Sequence, residues 1–458
     1  MARNANLKIS SYLFVDKGDL SDSPRASVQP REALQWILVF GLSALLIFGV
    51  LSFGAVEEWS TFTFEAGAAA LFLIWAAKQL VSNEIKLSKN PLYLPALLFG
   101  GLLLAQIVLR KSAYEYATKY EALQYISYGI ALLIAAECVR EEQFRKRFAL
   151  VMMSFGACYA FFALAQELTS NGKIYWIHSA RFHGAIYGSY VNHDHYAGLM
   201  EMLVPIPLVL SLGHIVKGGK RGLVVFCTVL MAGTIFLSGS RGGMIGFALE
   251  LVLFSALAFG RKQKARVALG SIAVCAFVLA FLIFVDKGQV LGRLGDLNPG
   301  IRLQITKDSL RMFTHRPVWG WGLGTFPTVY PGYRSFYTNL FINEGHNDYV
   351  QLLVETGLLG FGLMVWFLIR LFQYGLPTSR RWEFRWDGAV SLAALLGCTG
   401  ILFHSFVDFN LQIPANAAMF YVLCALAASE LLPVPNRSKH TRTSKISKSE
   451  SNRQLSEI

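Results

Sequence analysis

Apolar residues in this chain do not recur at the spacing of half-buried helices or strands. They form runs of roughly 17–25 residues, the length that crosses about 30 Å of hydrocarbon. The runs predict helices over 34–54, 62–81, 92–110, 120–137, 148–168, 192–215, 222–238, 241–260, 265–285, 350–374, 387–407 and 414–432. Helices are the element such runs require, because lipid offers no partner to an exposed backbone amide or carbonyl. Between the ninth and tenth runs lies a polar stretch, 286–349, that reads as one large loop. The expected fold is all-α: a polytopic transmembrane helical bundle of about twelve helices with one large helical loop. Helices one to nine occupy 34–285 and ten to twelve occupy 350–432, flanked by polar tails at 1–33 and 433–458.

Composition agrees with the pattern. Of 458 residues 54% are hydrophobic and 16% charged, against about 25% charged in soluble proteins. The net charge of +13 would suit nucleic acid, but the basic residues sit in short clusters between apolar runs and in the tails, with no aromatic-interleaved platform. Their distribution instead sets topology. With both termini in the cytoplasm, 29 of the 42 Lys and Arg face inward and 13 outward, seven of the latter in the large loop. The N-terminal tail lacks a cleavable signal pattern, so the first apolar run is expected to stay as an anchor. The C-terminal tail, rich in Ser, Lys and Arg, reads as a disordered segment suited to anionic lipid. All six cysteines lie in or at the end of apolar runs without a CxxC pair, which argues against a disulfide framework or thiolate metal site.

Outward arginines run against the charge rule and are therefore informative. Arg181 stands in Ala180-Arg181-Phe182-His183-Gly184, and Arg241 in the short turn Ser238-Gly239-Ser240-Arg241-Gly242-Gly243. The glycines beside Arg241 would let backbone pass close to a ligand; an interfacial, snorkelling arginine is the alternative at both positions. Residues 301–313 read as an amphipathic helix with Gln304, Lys307, Asp308 and Arg311 on a solvated side. Arg302 falls on the opposite side with Ile305, Thr306, Ser309 and Phe313, where a guanidinium needs an anionic partner. His346 stands where the large loop meets the tenth helix, with the neutral-range proton affinity of a general base; a structural histidine is the alternative.

Histidines also cluster in Asn192-His193-Asp194-His195. Residues two apart on a helix point about 160° away from each other, so His193 and His195 chelate a metal only from a strand or loop, and no metal site is expected. Asp194 and Glu201, seven apart, share a helix face, and at membrane depth such groups are functional candidates. Their plainest role is pairing with Arg181 or another cation.

Taken together, Asn192-His193-Asp194-His195-Tyr196-Ala197-Gly198, Ser238-Gly239-Ser240-Arg241-Gly242-Gly243, Arg302 before Arg316-Pro317-Val318-Trp319-Gly320-Trp321-Gly322, His346 through Gly357, and His404-Ser405-Phe406-Val407-Asp408-Phe409-Asn410-Leu411 resemble the bacterial O-antigen ligase and polysaccharide polymerase superfamily of inner-membrane proteins. The resemblance covers about 175–430; the earlier helices resemble it in hydropathy only. At position 194 relatives more often carry Asn, while Asn192 and Ala197 fit. The resemblance implies a GT-C-like, metal-independent, inverting transferase without cofactor, moving a glycan from an undecaprenyl-diphosphate-linked donor to a glycan or lipid-core acceptor at the periplasmic face. It also implies Arg181, Arg241 and Arg302 as diphosphate-binding groups and His346 as the base, with Asn192, Asp194, Glu201, Asn347 and Tyr349 in support. These residues are expected to share one pocket. Nothing in the loops separates ligase from polymerase. The alternative is a multi-pass small-solute transporter, inorganic-carbon-carrier-like, which would place its ionisable residues along a midplane path; no inverted repeat or paired broken-helix pattern is visible.

Overall fold

The computed structural model describes residues 30–81, 87–179, 185–257, 300–339 and 341–429. Every regular element among them is helical: α1 (Pro30–Leu51), α2 (Glu58–Val81), α3 (Tyr93–Val108), α4 (Glu115–Cys138), α5 (Glu142–Leu168), α6 (His193–Leu203), α7 (Pro205–Leu212), α8 (Gly219–Leu237), α9 (Arg241–Leu257), α10 (Gly300–His315), α11 (Phe326–Val329), α12 (Asp348–Ser379), α13 (Trp386–His404) and α14 (Pro414–Ala428). Seven spans among the described residues, α6 and α7 forming one of them, are long and apolar enough to cross a membrane. The chain is a multi-pass membrane protein. Helices stand at eleven of the twelve predicted apolar runs; the ninth, 265–285, lies outside the described residues with 286–299 of the large loop and most of both tails.

Burial sorts the helices into a centre and a rim. From Asp194 to Leu212 every residue is buried, and α13 is buried apart from Trp386, Thr399 and Phe403. Rim helices carry large apolar side chains outward, among them Phe62, Leu73, Leu97 and Val252, as a lipid-facing surface requires. The central span is divided into α6 and α7 at Pro205, which lacks the amide that would continue the ladder. At one end, α5 begins at Glu142 rather than at the expected 148. Arg145 is therefore not a loop cation. Fully buried, it donates to Val139 O (3.1 Å) and Ser429 O (3.1 Å), carbonyls that the ends of α4 and α14 leave open, and to Asp387 O (3.5 Å).

At the other end, α12 is broken at Gly357 (φ 64°, ψ −167°), and the loop after α10 docks on the break. Trp321 and Gly322 amides donate to Val354 O and Glu355 O at 3.0 and 2.9 Å, while Leu358 and Leu359 amides donate to Pro317 O and Val318 O at 2.8 and 3.4 Å. Gln106 of α3 closes the joint by donating to Glu355 O (2.9 Å) and Trp319 O (2.8 Å). Interrupted backbone at membrane depth is tolerable only when its groups are satisfied by protein in this way. Both glycines of the joint are obligatory. A Cβ on Gly357 would lie 2.2 Å from Val318 O, and one on Gly320 (φ 71°) would lie 2.4 Å from the Glu355 carbonyl. Gly320→Ala is expected to destabilise by at least about 1–2 kcal/mol, read as a lower melting temperature in detergent. Gly100→Ala, with nothing within 4 Å, is the control expected to melt unchanged or higher.

Candidate active site

Two helix starts and one helix end create the site. Asn192 caps α6, its Oδ1 accepting the Asp194 amide at 2.9 Å; this fixes His193, Asp194 and His195 on the first turn. Asn347 caps α12 by accepting the Val350 amide at 3.0 Å, and donates to Phe406 O at 2.9 Å. Asp348 then donates its amide to Ser405 O (2.9 Å) and accepts the Leu411 amide (3.1 Å), while Tyr349 OH donates to Leu402 O (2.6 Å). Asn347 and Tyr349, expected as supporting site residues, thus tie the start of α12 to the end of α13. His346, immediately before the cap, is held at φ 50°, a left-handed conformation that costs energy outside glycine and clusters at functional sites.

The turn following α13 carries the centre of the arrangement, Asp408, which is wholly buried. His346 Nδ1 lies 3.6 Å from its Oδ1 and His195 Nε2 lies 3.7 Å from its Oδ2. The Phe409 ring meets both imidazoles edge to face, at 4.6 Å from His195 and 4.9 Å from His346. Burial would raise the Asp408 carboxyl, and Asp194 adds to that; contact with His346, His195 and His404 outweighs both and holds it below the ordinary carboxylate range.

Arg302 approaches from α10. Its guanidinium donates to Asp194 Oδ2 at 3.0 Å and to Val407 O at 2.8 Å. Burial works against its charge, but Asp408 and Asp194 overcome this and raise its basicity. The anionic partner required by its position on the helix is thus Asp194, while the side chain stays 46% exposed, leaving guanidinium donors for a ligand. Asp308 departs from the expected solvated face. It is buried, accepting the Ser335 amide (2.9 Å) and hydroxyl (3.0 Å); Gln304, Lys307 and Arg311 do face outward.

Beneath this layer, Glu201 pairs with His404 rather than with an arginine, Oε2 to Nδ1 at 2.9 Å. Arg241, the first residue of α9, is exposed, and the glycines after it serve packing. A Cβ on Gly242 would meet His404 at 2.4 Å, and one on Gly243 would meet Ala197 at 2.7 Å. Those glycines therefore admit side chains of the bundle, not a ligand. Arg181 lies outside the described residues.

The structure thus joins Arg302, Asp194, Asp408, His195 and His346, and sets Arg241 one residue from the glycine that packs on His404. Asp408 and His404 carry no role in the reading of the sequence, although their spacing of four at the end of an apolar run was the available signal. His193 and His195 turn to different carboxylates, at 3.7 Å each, and form no chelating pair. Ligand atoms of Asp194, His404 and Asp408 do lie within 4.8 Å of one another, the one group among the described residues with the reach to hold a metal ion. Two carboxylates so close repel by roughly 3–4 kcal/mol at an effective dielectric of about 20. Arg302 already supplies part of the compensating positive charge.

No curated protein matches the chain significantly. The family model described as O-Antigen ligase matches residues 226–367, a stretch that contains Arg241, Arg302 and His346, while Asp194, His404 and Asp408 come to them from outside it. That match, over about a third of the chain, makes this stretch similar to the O-antigen ligase family and supports the O-antigen ligase and polysaccharide polymerase superfamily for the protein.

Proposed function

We propose that the protein transfers a glycan from undecaprenyl diphosphate to a sugar hydroxyl of a second glycan or of a lipid core, at the periplasmic face of the bacterial inner membrane. The observation that carries this reading is the pairing of His346 with buried Asp408 (3.6 Å) beside Arg302 on Asp194 (3.0 Å): a base and an anion-binding cation at one end of the bundle. The positive-inside distribution of Lys and Arg supports that end being outside the cytoplasm with both termini inside. A transport role has no support in the family match.

Nδ1 of His346 faces Asp408, which leaves Nε2 for the acceptor. In the transfer, Nε2 takes the hydroxyl proton as the acceptor oxygen attacks the anomeric carbon. The bond from that carbon to the diphosphate oxygen breaks, and undecaprenyl diphosphate departs with the bonding pair. Asp408 stabilises the imidazolium, in the manner of the carboxylate of a catalytic triad; base–carboxylate contacts are often long before substrate binds and tighten afterwards. Charge develops on the leaving diphosphate, where Arg302 meets it with donors held in place by Asp194 and Val407; Arg241 and Arg181 are proposed as further diphosphate-binding groups. One displacement inverts the anomeric centre.

The test is purified full-length protein with an undecaprenyl-diphosphate-linked glycan and an acceptor, product being read by mass and anomeric configuration. A product of inverted configuration is expected, formed equally with and without EDTA, because guanidinium groups take the role of a metal. Loss of turnover in EDTA, restored by one divalent ion, would transfer that role to Asp194, His404 and Asp408. No product with any lipid-diphosphate glycan would end the reading.

A further inference from the structure

We infer that Arg110, Lys111 and Arg316 form a phosphate-binding site, which holds the headgroup of an anionic membrane amphiphile at the edge of the bundle. The site lies apart from Arg302 and His346 and stands whether or not those residues transfer a glycan.

The three cations line a surface cleft of about 380 Å³ together with residues 317–320, and no acid among the described residues lines it. Glu115 lies 4.0 Å from Arg110 Nε but is shared with Lys119 at 3.6 Å, an exposed contact of little weight. Positive charge is therefore in excess.

The cleft is built rather than a chance gathering of surface cations. The Arg316 guanidinium lies over the Trp321 ring at 4.3 Å and donates to Lys111 O at 3.1 Å. Trp321 is itself fixed, its Nε1 donating to Met312 O at 3.0 Å. A guanidinium carries five N–H groups in one plane, so donors remain for a ligand and their direction is set beforehand. Helix α3 delivers the other two cations through its closing turn, where the Lys111 amide donates to Gln106 O (2.9 Å) and the Arg110 amide to Ile107 O (3.2 Å). That turn holds Arg110 at φ 50°, in the place glycine usually takes. An arginine there costs conformational energy, and such strain clusters at ligand sites. The dipole of α3 attracts cations to its C-terminus, which accounts for Arg110 and Lys111 but not for Arg316, brought in by the loop after α10.

The surroundings define the ligand. Leu104, Val108 and Leu109 of α3 are exposed, as are Leu358 and Leu359 of α12, whose amides bond to Pro317 O and Val318 O at the cleft wall. Apolar, lipid-facing surface thus runs directly up to three cations. Acyl chains suit the first and a phosphate, accepting charge-assisted bonds, suits the second. Gly320 packs on Glu355, seven residues into α12 from Asp348, which sets the cleft roughly 10 Å along the helix axis from the end that carries His346.

The test is native mass spectrometry of the full-length protein in detergent. It is titrated with phosphatidylglycerol and with a diacylglycerol of the same chains bearing a neutral sugar. The phosphate lipid is expected to bind about tenfold tighter or more, and the Arg110→Gln, Lys111→Gln, Arg316→Gln triple variant to bind the two alike. Arg110→Gly is expected to weaken phosphatidylglycerol binding at least about threefold while melting no lower than wild type, because glycine suits φ 50°; it separates loss of the site from loss of fold. Lys119→Gln, on α4 and outside the cleft, is expected to change neither. Equal binding of both lipids by the wild type, a triple variant that keeps the preference, or undiminished binding by Arg110→Gly overturns the inference. A lipid core with and without its phosphates then identifies the source. Tighter binding of the phosphorylated core than of phosphatidylglycerol assigns the site to that glycolipid, and the reverse assigns it to bulk phospholipid; either order upholds a phosphate site. Because the readout is binding, an inactive wild type defeats the transferase reading and not this site.

Discussion

Replacing His346 with alanine is expected to reduce glycan transfer by about 10²–10⁴-fold while the protein expresses and inserts as before. The loss has two sources. A sugar hydroxyl is a poor nucleophile until a base takes its proton, and Nε2 of His346 is the nitrogen left open once Nδ1 faces Asp408 at 3.6 Å. Stability should hardly change, because the imidazole is 27% exposed and the residue sits before the α12 cap rather than within the helix. Removing a side chain at φ 50° does not relax the main chain either, since alanine dislikes that region as much. The check is kcat with saturating donor and acceptor, beside a melting curve. Wild-type turnover in the variant rejects His346 as the base.

Arg302→Lys is the second large effect, a fall in kcat/KM of about 10²–10³-fold. The guanidinium is held on two sides, by Asp194 Oδ2 at 3.0 Å and Val407 O at 2.8 Å, so its remaining donors point in a set direction before substrate arrives. An ammonium retains the charge but not the planar two-point contact with a phosphate. It also needs to choose between Asp194 and the ligand, whereas the guanidinium serves both. Measured with increasing donor concentration, the loss should persist at saturation, because charge on the leaving diphosphate is greatest in the transition state. A variant with unaltered kcat and only a raised KM would place Arg302 in ground-state binding alone.

How much of this was legible before the fold depends on the range of the interaction involved. Local periodicity served well: helices occur at eleven of the predicted runs, and helical phase alone placed Arg302 beside Ile305 and Ser309, on a side that turned out to need Asp194. Local charge singled out the outward Arg181 and Arg241 against the topology rule, while His346 drew notice by its place where the large loop meets the tenth helix. The break in α12 was invisible, because a single Gly357 in an apolar run says nothing until the carbonyls of Pro317 and Val318 are brought to it. Asp308 was misassigned to solvent for the same reason: its partner Ser335 is 27 residues away. His404 and Glu201 are 203 positions apart, and no spacing rule reaches that far. Arg145 falls before the predicted run 148–168, because basic residues interrupt the apolar pattern there, whereas open carbonyls at the ends of two neighbouring helices welcome it inside.

The joint at Gly357 divides α12 in a way that matters for the chemistry. Val354, before the break, packs with Ile305, Met312, Phe326 and Tyr330 in a small core separate from the main one, while Asn347, Asp348 and Tyr349 are bonded to the end of α13 and the turn after it. The first turns of α12 are therefore clamped on two sides, by the loop and by the bundle. His346, just ahead of that clamp, and Arg302, bonded to Asp194 and Val407, keep a fixed registry with the carboxylates before any substrate arrives.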